Sequence, residues 1–151
     1  MAFLGMAECN AKGDVNVSKF KDRIAGCGGF INITQNTHKV VFCGTFTAKG
    51  LREEIRDGKL VITHEGAVQK FIDKVGQITF SAEYAHKHNQ QVMFITERCV
   101  FVLTDKGLVL TEIAPGVDLQ KDILDQMEFV PHIAENLKTK DESLFRDEHM
   151  R

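Results

Sequence analysis

Gly26-Cys27-Gly28-Gly29-Phe30-Ile31-Asn32-Ile33-Thr34 places three glycines within four residues and then runs directly into an apolar stretch. Glycine inside regular structure costs about 0.5–1 kcal/mol relative to alanine, so a cluster of this kind serves a purpose. Two readings stand. One is a tight turn with close strand–helix packing, the commoner use. The other is a point where a ligand comes up against the main chain, with free N–H groups ahead of a short helix over Phe30–Gln35. Such groups and the helix dipole favour a phosphate, a carboxylate or a developing oxyanion. GCGG lacks the spacing of the dinucleotide fingerprint and the lysine of a P-loop, so neither nucleotide motif accounts for it.

Working outward, the flanks read as strands. Phe3–Cys9 is small and apolar and predicts a buried strand. Asn10–Asp14 has turn chemistry, and Val15–Ser18 alternates like a returning strand. After the glycine stretch comes the β-rich run Lys39–Cys43, then a loop from Gly44 to Gly50. Leu51–Ile55 and Lys59–Thr63 flank Asp57-Gly58, a hairpin turn signal. Ala67–Val75 predicts a weakly alternating strand, and Ser81–His88 a short helix. Val92–Thr96 and Cys99–Leu103 predict strands on either side of Glu97-Arg98, followed by Leu108–Ile113. Asp118 is placed to cap a helix through Met127, with Leu119, Ile123, Leu124 and Met127 at helical spacing. The pattern predicts an α/β or α+β domain with one sheet packed against few helices. It spans residues 1–137, with a charged, flexible tail over 138–151.

A chain of 151 residues suits one domain. A net charge of −2 argues against a nucleic-acid partner, and no apolar run is long enough to span a membrane. The start MAFLGMAECN lacks the features of a secretory signal, and with four scattered cysteines outside any CxxC spacing it points to reduced, mostly buried thiols in the cytoplasm. No metal site is expected, since only His86-x-His88 approaches ligand spacing. The six histidines, His38, His64, His86, His88, His132 and His149, read as surface residues. Glu53, Glu54, Glu97 and Glu112 are candidate carboxylates, although charged faces are far commoner. Cys27 has the glycine neighbours that lower a thiol pKa, but no base stands near it in the sequence. The apolar start at Met1-Ala2-Phe3-Leu4 fits a sequence cut from something longer, a start at an internal methionine or a strand that simply begins early, and also an exposed docking edge for a second polypeptide.

Five segments taken together carry a resemblance. LGMAECNAKGDVNVSKF, RIAGCGGFINITQNTHKVVFCGTFTAKGL, QITFSAEYA, ITERCVFVLT and EIAPGVDLQKDILDQM, in this order, resemble the C-terminal, beta-subunit-like part of family I coenzyme A transferases, and most closely the fused short-chain acyl (acetate/propionate) CoA-transferases. The resemblance runs from Phe3 to about Lys140.

The resemblance implies an open α/β sheet of the CoA-transferase and ribose-5-phosphate isomerase-like type, here truncated. It implies transfer of CoA between carboxylic acids by covalent catalysis through a glutamyl-CoA thioester. CoA is then a substrate, no cofactor is needed, and acyl-CoA and short-chain carboxylates are the small-molecule partners. On this sequence the family's G-x-G-G loop is Gly26, Gly28 and Gly29, with Cys27 at the variable position and without a catalytic role. Gly28 and Gly29 are the close-approach residues and Gly26 shapes the turn. The family's nucleophilic glutamate precedes the segment matched here, so no catalytic residue is expected within this chain and Glu65-Gly66 does not replace it. The missing N-terminal part of the enzyme is an expected partner, homo-oligomers are common in the family, and Lys49 stands where the family often has glycine. Alternatives are a subunit of a split transferase or a non-enzymatic CoA-binding or interaction module.

Overall fold

The structure, a computed structural model, describes residues 1–146. The chain forms β1 (Ala2–Gly5), β2 (Glu8–Cys9), β3 (Val15–Asn16), β4 (Lys19–Phe20), β5 (Arg23–Ile24), α1 (Phe30–Gln35), β6 (Lys39–Cys43) and β7 (Thr47–Ala48). It continues through β8 (Arg52–Arg56), β9 (Lys59–His64), β10 (Val68–Gln69), α2 (Ala82–Lys87), β11 (Gln91–Ile95), β12 (Cys99–Thr104), β13 (Gly107–Ile113) and β14 (His132–Thr139).

One mixed sheet in the order β1-β6-β11-β12-β13-β14 organises the molecule. β1, β6 and β11 are parallel neighbours, β11–β12–β13 form an antiparallel meander, and β14 adds parallel to β13. Parallel neighbours require crossovers. The first carries α1 and the second carries α2. Phe30 opens α1 and stacks on Phe42 near the end of β6, at 5.9 Å between ring centroids. At the other end, the Gln90 side chain donates to the carbonyls of Thr34 and Thr37 at 2.6 and 2.7 Å. The helix therefore runs antiparallel to the strands. Its first turn, and the glycine loop before it, lie at the C-terminal edge of β6. The core on this side of the sheet is aromatic: Phe42 packs against Phe80 and Phe94, and Phe71 against Phe46 and Phe101.

The α/β reading with an open sheet holds, and the Asp57-Gly58 hairpin forms with both residues at positive φ, 50° and 73°. Ser81 caps α2 by accepting from the Tyr84 amide at 3.2 Å. Three expectations need correction. Phe3–Cys9 breaks after Gly5, because Met6 turns into the core and β2 pairs with β3 in a separate two-stranded sheet. Of Ala67–Val75 only Val68–Gln69 is strand, since neither face of the segment is consistently apolar. The helix capped by Asp118 is a π-turn over Leu119–Ile123 followed by a 3-10 turn over Leu124–Gln126, although its four apolar positions do pack into or against the core.

Of the segment expected as a tail from residue 138, β14 extends to Thr139, Lys140 is buried, and a 3-10 turn over Glu142–Phe145 brings Phe145 into the core. The rest of that expectation, and His149, lie outside the described residues.

Candidate functional site

The glycine loop meets solvent. Gly26 (φ +78°) and Gly28 (φ +51°) occupy the left-handed region that favours glycine. Ala25 and Gly26 donate their amides to the Ser18 carbonyl at 2.8 and 3.3 Å, and Phe30 donates to the Cys27 carbonyl at 3.0 Å. The amides of Cys27, Gly28 and Gly29 reach no acceptor among the described residues. Packing does not explain the glycines. A Cβ at Gly26 or Gly28 would meet nothing within 4 Å, and one at Gly29 would lie 3.6 Å from Ile33 Cδ1, an ordinary contact. Gly29 also has φ −82° and ψ 2°, open to any residue. Neither internal packing nor backbone strain demands glycine at 29.

Close strand–helix packing therefore does not account for the loop, whereas a tight turn does account for Gly26 and Gly28. The dipole element of the other reading weakens too: α1 has six residues and no side-chain cap, about 9 Å of helix. The donors on offer are the loop amides themselves.

Along the same C-terminal edge, the loops following β6 and β11 enclose a buried charge cluster built on Arg98. Arg98 is 0% exposed. Its Nη1 and Nη2 each donate to a different oxygen of Glu65 at 2.7 Å, its Nε donates to Glu97 at 2.8 Å, and Nη1 also donates to the Asp122 carbonyl at 2.8 Å. The guanidinium carbon sits 5.1 Å from the Phe46 ring centroid. Glu97 Oε2 accepts from the Phe46 amide at 2.9 Å, which fastens the loop after β6 to the turn after β11. Lys70 donates to the Thr45 carbonyl at 2.8 Å, and Lys140 donates to the Thr96 carbonyl.

Burial alone would lower the Arg98 pKa, but its bonds to Glu65 and Glu97 and their charges hold it above the ordinary arginine value. Burial likewise pushes the Glu65 carboxyl up. Hydrogen bonds from Arg98 and Thr47, the Arg98 charge and the Gly66 amide outweigh it, and the group sits below the usual range. Both buried lysines are pushed down by desolvation. Glu53, exposed on β8, is pushed up by partial burial and by Glu97.

The structure sorts the other candidates. Both Glu65 oxygens are engaged by Arg98, which makes this carboxylate the counter-ion of the buried guanidinium. Glu97 is likewise bound at both oxygens. Glu54 and Glu112 lie apart on β8 and β13. His38, His64, His86, His88 and His132 are exposed. All four cysteines are free, but only Cys9 and Cys99 are buried; Cys27 is half-buried and Cys43 exposed, which corrects the expectation of mostly buried thiols. Among the described residues no three His, Cys, Asp or Glu side chains converge as metal ligands, and no helix is long and apolar enough to cross a membrane. A groove of about 670 Å³, lined by Lys12, Asp14, Ser81, Glu83 and Lys87, also takes in the turn between β12 and β13, at the opposite end of the strands from the glycine loop.

The sequence names Glu97 as a candidate carboxylate, Arg98 as its turn neighbour and Glu65 as a rejected nucleophile, but does not join the three into one cluster. The available signal was a Glu-Arg pair between two uninterrupted apolar runs, where a turn leaves little room for solvated charge.

Beneath an α/β sheet edge carrying unbonded glycine amides, the segments that suggested the family all fall within one continuous fold. The chain is similar over nearly its whole length to coenzyme A transferases. It is 51% identical over 152 residues to caffeate CoA-transferase of Acetobacterium woodii, and 52% identical over 150 residues to acetate CoA-transferase YdiF of Escherichia coli K12. These alignments take in 97% and 99% of this chain but only 29% and 28% of the relatives, so the chain spans under a third of their length. The crystal structure of acyl-CoA transferase apoenzyme from Escherichia coli O157:H7 superposes with a TM-score of 0.95 at 53% identity, over 97% of this chain and 28% of that one. The thioester complex of that enzyme with CoA gives 0.94, over 96% of this chain and 28% of that one. Glutaconate CoA-transferase of Acidaminococcus fermentans, at 16% identity and a TM-score of 0.65, over 93% of this chain and 52% of that one, shares the fold alone. No family model matches the chain.

Proposed function

We propose that this chain is the part of a short-chain acyl-CoA:carboxylate CoA-transferase that binds the reacting thioester carbonyl, and that the nucleophilic glutamate comes from polypeptide outside it. The observation that carries this reading is the combination at Gly29: an exposed glycine whose amide has no acceptor among the described residues, and whose lack of a side chain neither strain nor packing explains. In a chain about half identical to caffeate and acetate CoA-transferases, that vacancy suits a substrate.

The chemistry follows from what such a loop offers. A carboxylate attacking an acyl-CoA thioester pushes charge onto the carbonyl oxygen. Amides of Gly28 and Gly29 pointing at that oxygen stabilise the developing charge, and Gly26 shapes the turn that presents them. Each donor of this kind is worth about 2.7–4 kcal/mol. The thiolate of CoA leaves, then returns to the glutamyl anhydride to give the glutamyl-CoA thioester and free carboxylate; an incoming acid runs the steps in reverse. CoA is a substrate throughout. The cluster around Arg98 holds the neighbouring loops in place rather than reacting. Four unpaired cysteines suit the reducing cytoplasm.

The test is CoA exchange between acetyl-CoA and propionate, followed by chromatography of the two thioesters. The chain alone is expected to give none. Mixed with the remaining part of the Escherichia coli acetate CoA-transferase, made as a separate polypeptide, it is expected to give turnover. Turnover by the chain alone would overturn the assignment of the nucleophile, and no turnover by a formed complex would overturn the reading as a whole.

A further inference from the structure

Side chains at paired positions of neighbouring strands share a face of the sheet. Leu4, Phe42, Phe94, Phe101 and Leu110 stand in register across five strands and lie in or against the core. One residue along, Phe3, Val41, Met93, Val102 and Val109 form a second apolar row on the opposite face, outside that cluster; Met93, Val102 and Val109 are half-buried and Val41 is buried. Phe3 is 65% exposed. Beside this row, half-buried Ile95 and buried Val100 continue the same face, while Lys39 with Gln91 at one end and Glu112 with Lys138 at the other give it a polar rim.

The helical elements all pack on the other side. Phe30 of α1 stacks on Phe42, and Ala85 of α2, Ile123, Met127 and Phe145 join the same core. Among the described residues no helix covers the second face. Sheets with parallel pairing are normally covered on both faces, and an apolar surface of this breadth marks a contact site.

Two observations say what covers it. β1 pairs with β6 and its outer edge is open. The steps from β1 to β6 and from β6 to β11 go in one direction and put both helices on the core face. Right-handed crossovers stepping away from β1 in the other direction would put their helices on the bare face. A second copy added antiparallel along β1 would be related by an axis perpendicular to the sheet, and would leave both bare faces bare. The relatives, meanwhile, are more than three times as long as the part this chain matches.

We infer that the Phe3–Val109 face, together with the open edge of β1, docks a strand-and-helix layer from the remaining part of a CoA-transferase polypeptide, with the aliphatic sides of its helices against this face. The inference rests on the proposed function only for the identity of the partner.

Hydrogen–deuterium exchange on the full chain tests it, alone and with excess of the remaining part of Escherichia coli acetate CoA-transferase YdiF. The expected result is at least tenfold slower exchange in β1 of the complex. Phe3→Asp, at an already exposed position, and Val102→Asp, checked for fold by circular dichroism, are each expected to weaken association at least tenfold. Ile78→Asp, in the groove on the core side, is expected to leave it unchanged. Absence of association, protection confined to the α1 and α2 side, or saturation of the β1 edge by a second copy of this chain would each overturn the inference. Association is read without turnover, so a complex protected as expected but catalytically silent sinks the transferase reading and leaves the interface standing.

Discussion

Replacing Arg98 with methionine removes the one guanidinium that binds both Glu65 and Glu97. Arg98 is fully buried, while the Glu65 and Glu97 side chains are 31% and 12% exposed, so the carboxylates left behind reach water poorly. Breaking a buried pair by removing one partner costs about 3–5 kcal/mol, a large share of the roughly 5–15 kcal/mol that holds a domain together. For a domain of this size that corresponds to a fall of about 6–20 °C in melting temperature. Urea unfolding followed by circular dichroism gives the number directly. The pH dependence adds a sign. Arg98 holds Glu65 below its unfolded value of about 4.3, so its contribution is in full force above that value and is lost as pH falls through the depressed folded one. The gap between wild type and Arg98→Met is therefore widest near neutral pH and narrows in acid, where the stranded carboxylates of the variant protonate. Adding Glu65→Gln to Arg98→Met removes one stranded charge and should recover at least about 1 kcal/mol. A loss under about 1 kcal/mol for Arg98→Met, or no recovery in the double variant, would refute the reasoning.

Other outcomes follow from the same geometry. Gly66→Ala should destabilise by more than about 2 kcal/mol in chemical denaturation, because its Cβ would lie 2.5 Å from Thr47 Oγ1 and 2.6 Å from the Ala48 carbonyl oxygen, whereas Gly5→Ala, with nothing within 4 Å, should unfold close to wild type. Lys49 has φ +60°; Lys49→Gly relieves left-handed strain of about 1–2 kcal/mol against an entropic cost of about 0.5–1, and should raise stability by about 0.5–1 kcal/mol in the same assay. A thiol reagent at pH 8 should modify exposed Cys43 first and Cys27 next, and should reach Cys9 and Cys99 only on unfolding, since burial pushes the Cys99 thiol up to about 12 and Cys9 well above its usual value.

Much of this fold was legible in the sequence because local and tertiary preferences agree. Lys39–Cys43, the Asp57-Gly58 hairpin, the short helix within Ser81–His88 and the successive strands β11, β12 and β13 each carry their own signal, and each forms close to where expected. β14 went unread because it alternates poorly. Only Ala134 and Leu137 are even half-buried in a strand of mixed charge, and its partner β13 supplies the pairing. The break after Gly5 was hidden because an apolar run does not say which sheet each residue joins. At the site, the glycine loop announced itself through composition, but its exposure and its unbonded amides are properties of the folded chain. The Arg98 cluster was out of reach because Glu65 and Arg98 are separated by 33 positions, and an ion pair at that spacing leaves no periodic trace.

The central claim is that the loop's free amides bind the reacting carbonyl, and Gly29 isolates it. Its amide reaches no acceptor among the described residues, and its φ of −82° lies near that of proline, so Gly29→Pro deletes one donor. Measured on the complex with the remaining part of the Escherichia coli enzyme, the account predicts a kcat for CoA exchange lower by about 10²–10³, with the melting temperature of the chain unchanged. A kcat within about threefold of wild type would contradict it.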